Sequence, residues 1–299
     1  MRACAIFTAQ VLLFFAYKVM LSCYNETMRT MEQPNLSGPE QGDDIAKVER
    51  FLESTTMRYR AEGVPLGNDS RIDMAAYKGL YPDVAKDLER NRDWGKEWFG
   101  GLSPEMARER RRLTEGEQLE MLAYAILAKN LGERFVVART SPHDDRVNKV
   151  DTIILDKETG NLVCAFDEVG DASGVNYEKK QTLVRDRNLK GGASLKYGIG
   201  VRREKGKQEV VPSAAEHLPL FYLAVPGDRV KKGMKEFVAD PVQQSEFEER
   251  LFSYFIATIS AQIGALELYH RRLDPELKKK LEDFKGAVAA FNARQGKRK

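Results

Sequence analysis

Two short apolar runs, Lys149-Val-Asp151-Thr-Ile-Ile-Leu155 and Leu162-Val-Cys-Ala-Phe-Asp167-Glu-Val169, are separated by Asp156-Lys-Glu-Thr-Gly160-Asn161. No other feature constrains the fold of this chain so tightly. Runs of this length, bounded by Asp, Gly and Asn, read as two strands of a hairpin inside a largely buried sheet. Each carries an acid among buried-type neighbours, Asp151 at the start of its strand and Asp167 near the end of the next. A short turn sets the start of one strand beside the end of the other, so Asp151 and Asp167 are expected as neighbours at one end of the sheet. Two carboxylates in a low dielectric repel strongly unless a cation or a shared proton offsets them. Such pairs suit Mg²⁺, which takes oxygen ligands and keeps several waters.

The flanking sequence extends the hairpin into a fold. Ser103-Pro-Glu opens a helix whose surface bears Arg108, Arg110, Arg111 and Arg112. After Gly116, Leu119, Leu122, Ala123, Ile126 and Leu127 keep one face apolar at helical period as far as Asn130, with Gly132 as the stop. Strands are expected at Phe135–Arg139, Val150–Leu155, Leu162–Val169, Tyr197–Val201 and Leu218–Val225, and a helix at Lys179–Asn188. Two amphipathic helices, over Ser245–Arg272 and Pro275–Asn292, close the chain. The fold class is therefore α/β (α+β): a mixed central sheet with a helix-strand-strand-strand-helix-strand core, flanked by N- and C-terminal helices. Glu120 lies at the margin of the apolar stripe, where it can reach the sheet edge as a third carboxylate or stay solvated; Glu117 lies further round.

The run Glu120-x-x-Ala123-x-x-x-Leu127-x-x-x-x-Gly132, then a strand, then VNKVDTIIL and NLVCAFDEV, resembles the core of the PD-(D/E)XK nuclease-like superfamily over roughly residues 106–226. The resemblance implies that Asp151 matches the first motif aspartate, Asp167 the second acid, and Glu120 the helix glutamate that some members add as a metal ligand. It also implies a lysine two residues after the second acid, where this chain has Val169; the alternative register, Glu168-x-Gly170, lacks it too. Some members carry that lysine on the following helix, and Lys180, with Lys179 as its alternative, is the substitute on spacing. On this reading the protein is a Mg²⁺- or Mn²⁺-dependent phosphodiester hydrolase of nucleic acid, DNA ahead of RNA. The alternative is a silent nuclease-like module that binds nucleic acid or a protein.

Charge and cysteine content narrow the other possibilities. The chain has 299 residues with 42% hydrophobic and 31% charged residues, enough for a sizeable core, and a formal charge of only +3. Overall charge therefore gives no case for a polyanionic partner, and any attraction must be local. From Asp171 to Glu209 basic residues outnumber acidic ones two to one. Lys190, Lys196, Arg202 and Arg203 are the candidate backbone contacts there, unless the segment is simply a solvated loop. Three dispersed cysteines and three dispersed histidines argue against a zinc site or a disulfide framework, and Cys164 reads as inert core. His143-Asp144-Asp145 could offer metal ligands, but it is read chiefly as a turn, where Asp is common for conformational reasons. No GxSxG and no Gly-rich phosphate loop is present. The chain divides into an apolar segment (1–30), a mainly helical region (31–105), the nuclease-like core with its C-terminal helices (106–292) and a basic tail (293–299). Residues 3–17 are short for a membrane span and match a signal-peptide core, an anchor or an extended start. The expected address is cytoplasmic, or membrane-associated or exported if that segment acts as a targeting element.

Overall fold

The computed structural model describes residues 41–98, 100–170, 174–204 and 207–295. The apolar segment expected at residues 1–30 and the last four residues of the basic tail lie outside them. No helix among the described residues is long and apolar enough to cross a membrane.

The chain opens with helix α1 (Gln41–Ala61), a 3-10 turn (Met74–Tyr77), α2 (Val84–Trp98) and α3 (Pro104–Arg112). Ser103 caps α3, accepting from the Met106 amide at 3.3 Å, with Pro104 just inside the first turn. The helix expected to run on through Gly116 is broken at Leu113-Thr114. Thr114 caps a separate helix, α4 (Glu115–Leu131), accepting from Glu117 N at 3.3 Å. α4 is buried on nearly every side from Gln118 to Ala128, because α1 and the later helices cover the flank that faces away from the sheet.

Strands β1 (Phe135–Arg139), β2 (Thr152–Asp156) and β3 (Leu162–Val169) follow as an antiparallel meander. The β2–β3 turn forms as expected. The Asp156 side chain accepts from Glu158 N at 2.9 Å, and Gly160 sits at φ +76°. A Cβ on Gly160 would come within 2.7 Å of the Val201 Cβ, so the position needs glycine for space as well as conformation. Helix α5 (Gly174–Leu189) then crosses to β4 (Ala193–Glu204), β5 (Lys207–Leu218) and β6 (Leu220–Ala224). The sheet order is β1-β2-β3-β6, with β6 parallel to β3. The fourth core strand is thus Leu220–Ala224. Tyr197–Val201 belongs instead to a two-stranded β4–β5 arm, and the lysine-rich stretch read as a loop is half of that arm. Helices α6 (Gly227–Glu236), α7 (Glu246–Glu267) and α8 (Pro275–Gln295) complete the chain, with a 3-10 turn at His270–Arg272 where α7 was expected to continue.

Two apolar layers sandwich the sheet. Cys164 and Phe166 face α4, α7 and α8, whereas Ala165 and Tyr222 face α5 and the β4–β5 arm. The outer edge of β6 is closed by side-chain amides. Asn188 accepts from Leu220 N (2.9 Å) and donates to Leu220 O (2.8 Å), and Gln262 makes the same pair of bonds to Tyr222 (3.0 and 2.8 Å). These amides stand in for a fifth strand and deny the edge to a partner chain.

Candidate metal centre

The carboxyl ends of β1, β3 and β6 and the start of β2 share one rim of the sheet. Thr152 pairs with Phe166, and Asp151 N donates to Phe166 O at 2.8 Å, so Asp151 stands opposite Asp167 as expected. Period-two alternation then separates the next residues. Asp167 faces α5, while Glu168 shares the face of Cys164 and Phe166 and looks toward α4. Asp151 sits between the faces. Its Oδ2 accepts from the Glu168 amide at 2.8 Å, and its side chain is within hydrogen-bonding reach of both the Asp167 and Glu168 carboxylates.

Three carboxylate oxygens, from Glu120 on α4, Asp145 and Asp151, lie within 4.8 Å of one another. Asp145 comes from a π-helical turn (Asp144–Asn148) between β1 and β2. Neighbouring Asp144 is fully buried and accepts from Lys196 N (2.8 Å) and Tyr197 N (3.0 Å), which pins the β4 strand to this turn. The His143-Asp144-Asp145 sequence is therefore more than a conformational turn. One of its acids joins the cluster and the other fixes the segment that carries it.

Arginines form the back wall. The stretch Ser70–Ile72 runs along β1, where Arg139 N donates to Ser70 O and Ile72 N to Arg139 O. Arg71 and Arg139, 3% and 1% exposed, both point at α4. The Glu120 Oε2 accepts from Arg71 Nη2 at 2.5 Å and from Arg139 Nη2 at 2.7 Å. Arg71 Nη1 also reaches Asp145 Oδ2 at 3.1 Å, and Arg111 Nη2 approaches the same oxygen at 3.4 Å. Burial works against ionisation of Glu117, but Arg139, Arg71 and Arg111 together hold its carboxyl far below the usual range. Glu117 is therefore a structural acid of the wall.

Glu168 is treated differently. Both of its carboxylate oxygens are buried and no lysine or arginine among the described residues pairs with them; the side chains beside them are those of Asp151 and Thr152, and the residue as a whole is part-exposed. Burial, with the neighbouring charges of Glu120 and Asp167, pushes its pKa up to about 7. Asp151 is raised well above the usual carboxylate range by burial and by the negative charges of Glu168, Glu120, Asp167 and Asp145. On the α5 side, Lys180 Nζ lies 2.5 Å from each Asp167 oxygen. Burial still leaves Asp167 above its ordinary value, with Lys180 opposing the rise.

Of the residues expected from sequence, Asp151 and Glu120 are in the cluster. Asp167 adjoins it but is held by Lys180, and Lys179 points away as an exposed residue. Three of the four candidate nucleic-acid contacts are engaged within the chain: among them, Lys196 pairs with buried Asp87 at 2.6 Å, and Arg203 donates to the Glu158 and Thr159 carbonyls. Arg202 pairs with Glu209 at 2.8 Å on the arm, and Lys190 is exposed. Asp145 was weighed only as the lesser alternative to a turn residue, and Glu168, Arg71 and Arg139 were not singled out. Alternation along β3 carries the signal for Glu168, since the face of Cys164 and Phe166 is the one the apolar stripe of α4 must cover.

The donor set suits a divalent cation: hard carboxylate oxygens from three elements, with two further oxygens buried beside them and without a cationic partner among the described residues. Compared with protein-family models, curated proteins and solved structures, the chain matches none.

Proposed function

We propose that the protein is a divalent-metal-dependent phosphodiester hydrolase acting on nucleic acid. One observation carries the reading. The buried carboxylate of Glu168, with no cationic partner among the described residues, stands beside the converging oxygens of Glu120, Asp145 and Asp151, with the Lys180–Asp167 pair on the adjoining face. An acid that served stability alone would be paired, as Glu117 is. The resemblance to the PD-(D/E)XK nuclease-like superfamily set out from the sequence points the same way, as does the helix-strand-strand-strand-helix-strand order of the core.

Asp151, Glu168 and Asp145 would hold Mg²⁺ or Mn²⁺, and Glu120 would contribute the oxygen that the arginines leave open. The cation would supply a bound water of lowered pKa and neutralise phosphate oxygens. Asp167 fixes the ammonium of Lys180, so that a positive charge stands ready where the phosphate gains negative charge. Arg71 and Arg139 hold Glu120 in one rotamer and lessen the mutual repulsion of the acids.

The test is cleavage of single-stranded, double-stranded and branched DNA with Mg²⁺ or Mn²⁺, using the wild type beside Asp151→Asn, Glu168→Gln and Asp167→Ala. Metal-dependent cleavage that collapses in Asp151→Asn and Glu168→Gln supports the proposal. Equal cleavage by all four proteins defeats it. The second reading, a silent binding module, has one observation in its favour: Glu120 and Asp145 are already neutralised by Arg71, Arg139 and Arg111. Strand binding without cleavage under either metal would select it.

A further inference from the structure

The π-helical turn that supplies Asp145 also carries Arg146, which the metal centre does not use. Its guanidinium lies over the Trp94 ring of α2, 5.2 Å from the centroid. One terminal nitrogen, Nη1, is buried without an acceptor, while the rest of the side chain is part-exposed. Arg111 and Arg71, the arginines bound to Asp145, are close enough for their positive charges to bear on it, against the single nearby acid Asp145. A cation held on an aromatic face keeps its N–H donors free for an oxygen acceptor. A buried charged donor without a partner is costly, and it gains most from an arriving anion. Arg112, Arg134 and Arg139 also bury an Nε without an acceptor, but each is held to an acid through its guanidinium. The buried Lys129 side chain meets Glu248 at 2.5 Å and the carbonyls of Val238 and Gln243. No such acid is bonded to Arg146 among the described residues.

We infer that Arg146, braced on Trp94 and flanked by Arg111, is a phosphate station at the mouth of the acid cluster, taking a backbone phosphate of the nucleic-acid strand next to the one presented at Asp151 and Glu168. This extends the proposed function by naming where the substrate is gripped, and it rests on that reading only for the identity of the strand. The station adjoins Asp145, while Lys180 on α5 is held by Asp167, which adjoins the cluster from the other face of β3.

The experiment is metal-free binding in EDTA, so that no turnover enters the readout. Two probes are used: a fluorescein-labelled single-stranded oligothymidylate followed by anisotropy, and inorganic pyrophosphate followed by calorimetry and tryptophan emission. Arg146→Ala should weaken oligothymidylate binding by about tenfold to a hundredfold, the loss of one charge-assisted contact. It should also lower the slope of log K against log salt by about 0.7, one single-strand phosphate. Arg146→Lys should fall between, and Arg110→Ala, an equal charge loss on the exposed face of α3, should match the wild type. If the wild type binds the strand and Arg146→Ala and Arg146→Lys bind it as well with the same salt slope, the station is wrong and the nucleic-acid reading stands. If pyrophosphate binds in an Arg146-dependent way but no strand does, the station holds and the nucleic-acid reading falls. If the wild type binds neither probe, both are overturned.

Discussion

Replacing Glu168 by Gln should make the metal-free protein more stable at alkaline pH, although the substitution removes an acid from a packed site. The sign follows from the raised pKa. A carboxyl whose pKa is higher in the folded chain binds its proton more tightly there, so folding is penalised once that proton must leave. Below about pH 4.5 folded and unfolded chains both hold the proton and wild type and variant should be alike. Between about 4.5 and 7 the penalty grows, and above 7 it is complete. That difference, at about 1.4 kcal/mol per pH unit, is about 3 kcal/mol. The amide keeps the shape and removes the charge, which also relieves Asp151 of the negative charge of Glu168 beside it. The assay is urea denaturation in EDTA at pH 4.5 and 8, followed by titration with Mg²⁺ and Mn²⁺ at pH 8. The wild type should lose stability relative to Glu168→Gln on going to pH 8 and regain it with metal by mass action, while the variant should respond weakly to either ion. Equal stabilities at pH 8 without metal, or equal metal responses, would refute the assignment of Glu168 as an unpaired ligand.

Other expectations concern the surrounding scaffold. Lys180→Ala should cut single-turnover cleavage by about 10²–10³-fold, as for loss of one preorganised charge-stabilising donor, and move the acidic limb of the pH profile upward because Asp167 loses the cation that opposes its rise; rates within twofold of wild type would exclude a role. Lys129→Met strands Glu248, whose side chain is 0% exposed, and should cost about 3–5 kcal/mol in denaturant titrations without altering metal affinity. Asn188→Ala leaves both backbone groups of Leu220 unpaired on the β6 edge and should cost about 1–3 kcal/mol, with self-association seen by sedimentation velocity as the edge opens.

The elements best read from sequence are those whose signals are local. Leu162–Val169 is found as expected because an Asp-Gly-Asn turn precedes it and a glycine follows, and α4 shows its stripe at helical spacing. β5 escaped because its sequence has few apolar residues and contains Pro212. It is a strand by virtue of its pairing with β4, and a two-stranded arm leaves one edge of β5 free to tolerate a proline. The arginine wall escaped for another reason. Arg71 meets Glu120 across 49 positions of sequence, and only the bridge of Arg71 to Arg139 along β1 brings the two guanidinium groups to one helix face. Asp167 drew attention as the acid at the strand's end, but alternation gives it to α5 and Lys180 and gives Glu168 to the helix that carries Glu120.

The strongest argument for a functional reading comes from comparing how one molecule treats three buried glutamates. Glu248 is enclosed completely. Its Oε1 accepts from Lys129 at 2.5 Å, its Oε2 from the amides of Ser245 (2.7 Å) and Val238 (3.2 Å), and Phe237 covers the ammonium at 4.3 Å from its ring centroid. Glu117 is shared among three arginines. Both arrangements recover the desolvation of the charge through bonds to each oxygen. Glu168 has neither, yet Arg139, across β2 on β1, directs its guanidinium to Glu117 and Glu120. A fold that gives two glutamates cationic partners and leaves the third with only Asp151 and Thr152 beside it, among other carboxylates, keeps an electrostatic deficit at one point of the rim. Selection for stability alone would remove that deficit with a single change to glutamine or leucine. A proton held between Glu168 and Asp151 offsets it at low pH; on the reading proposed above, a small hard cation among Glu120, Asp145 and Asp151, whose oxygens lie within 4.8 Å of one another, would do so at neutral pH.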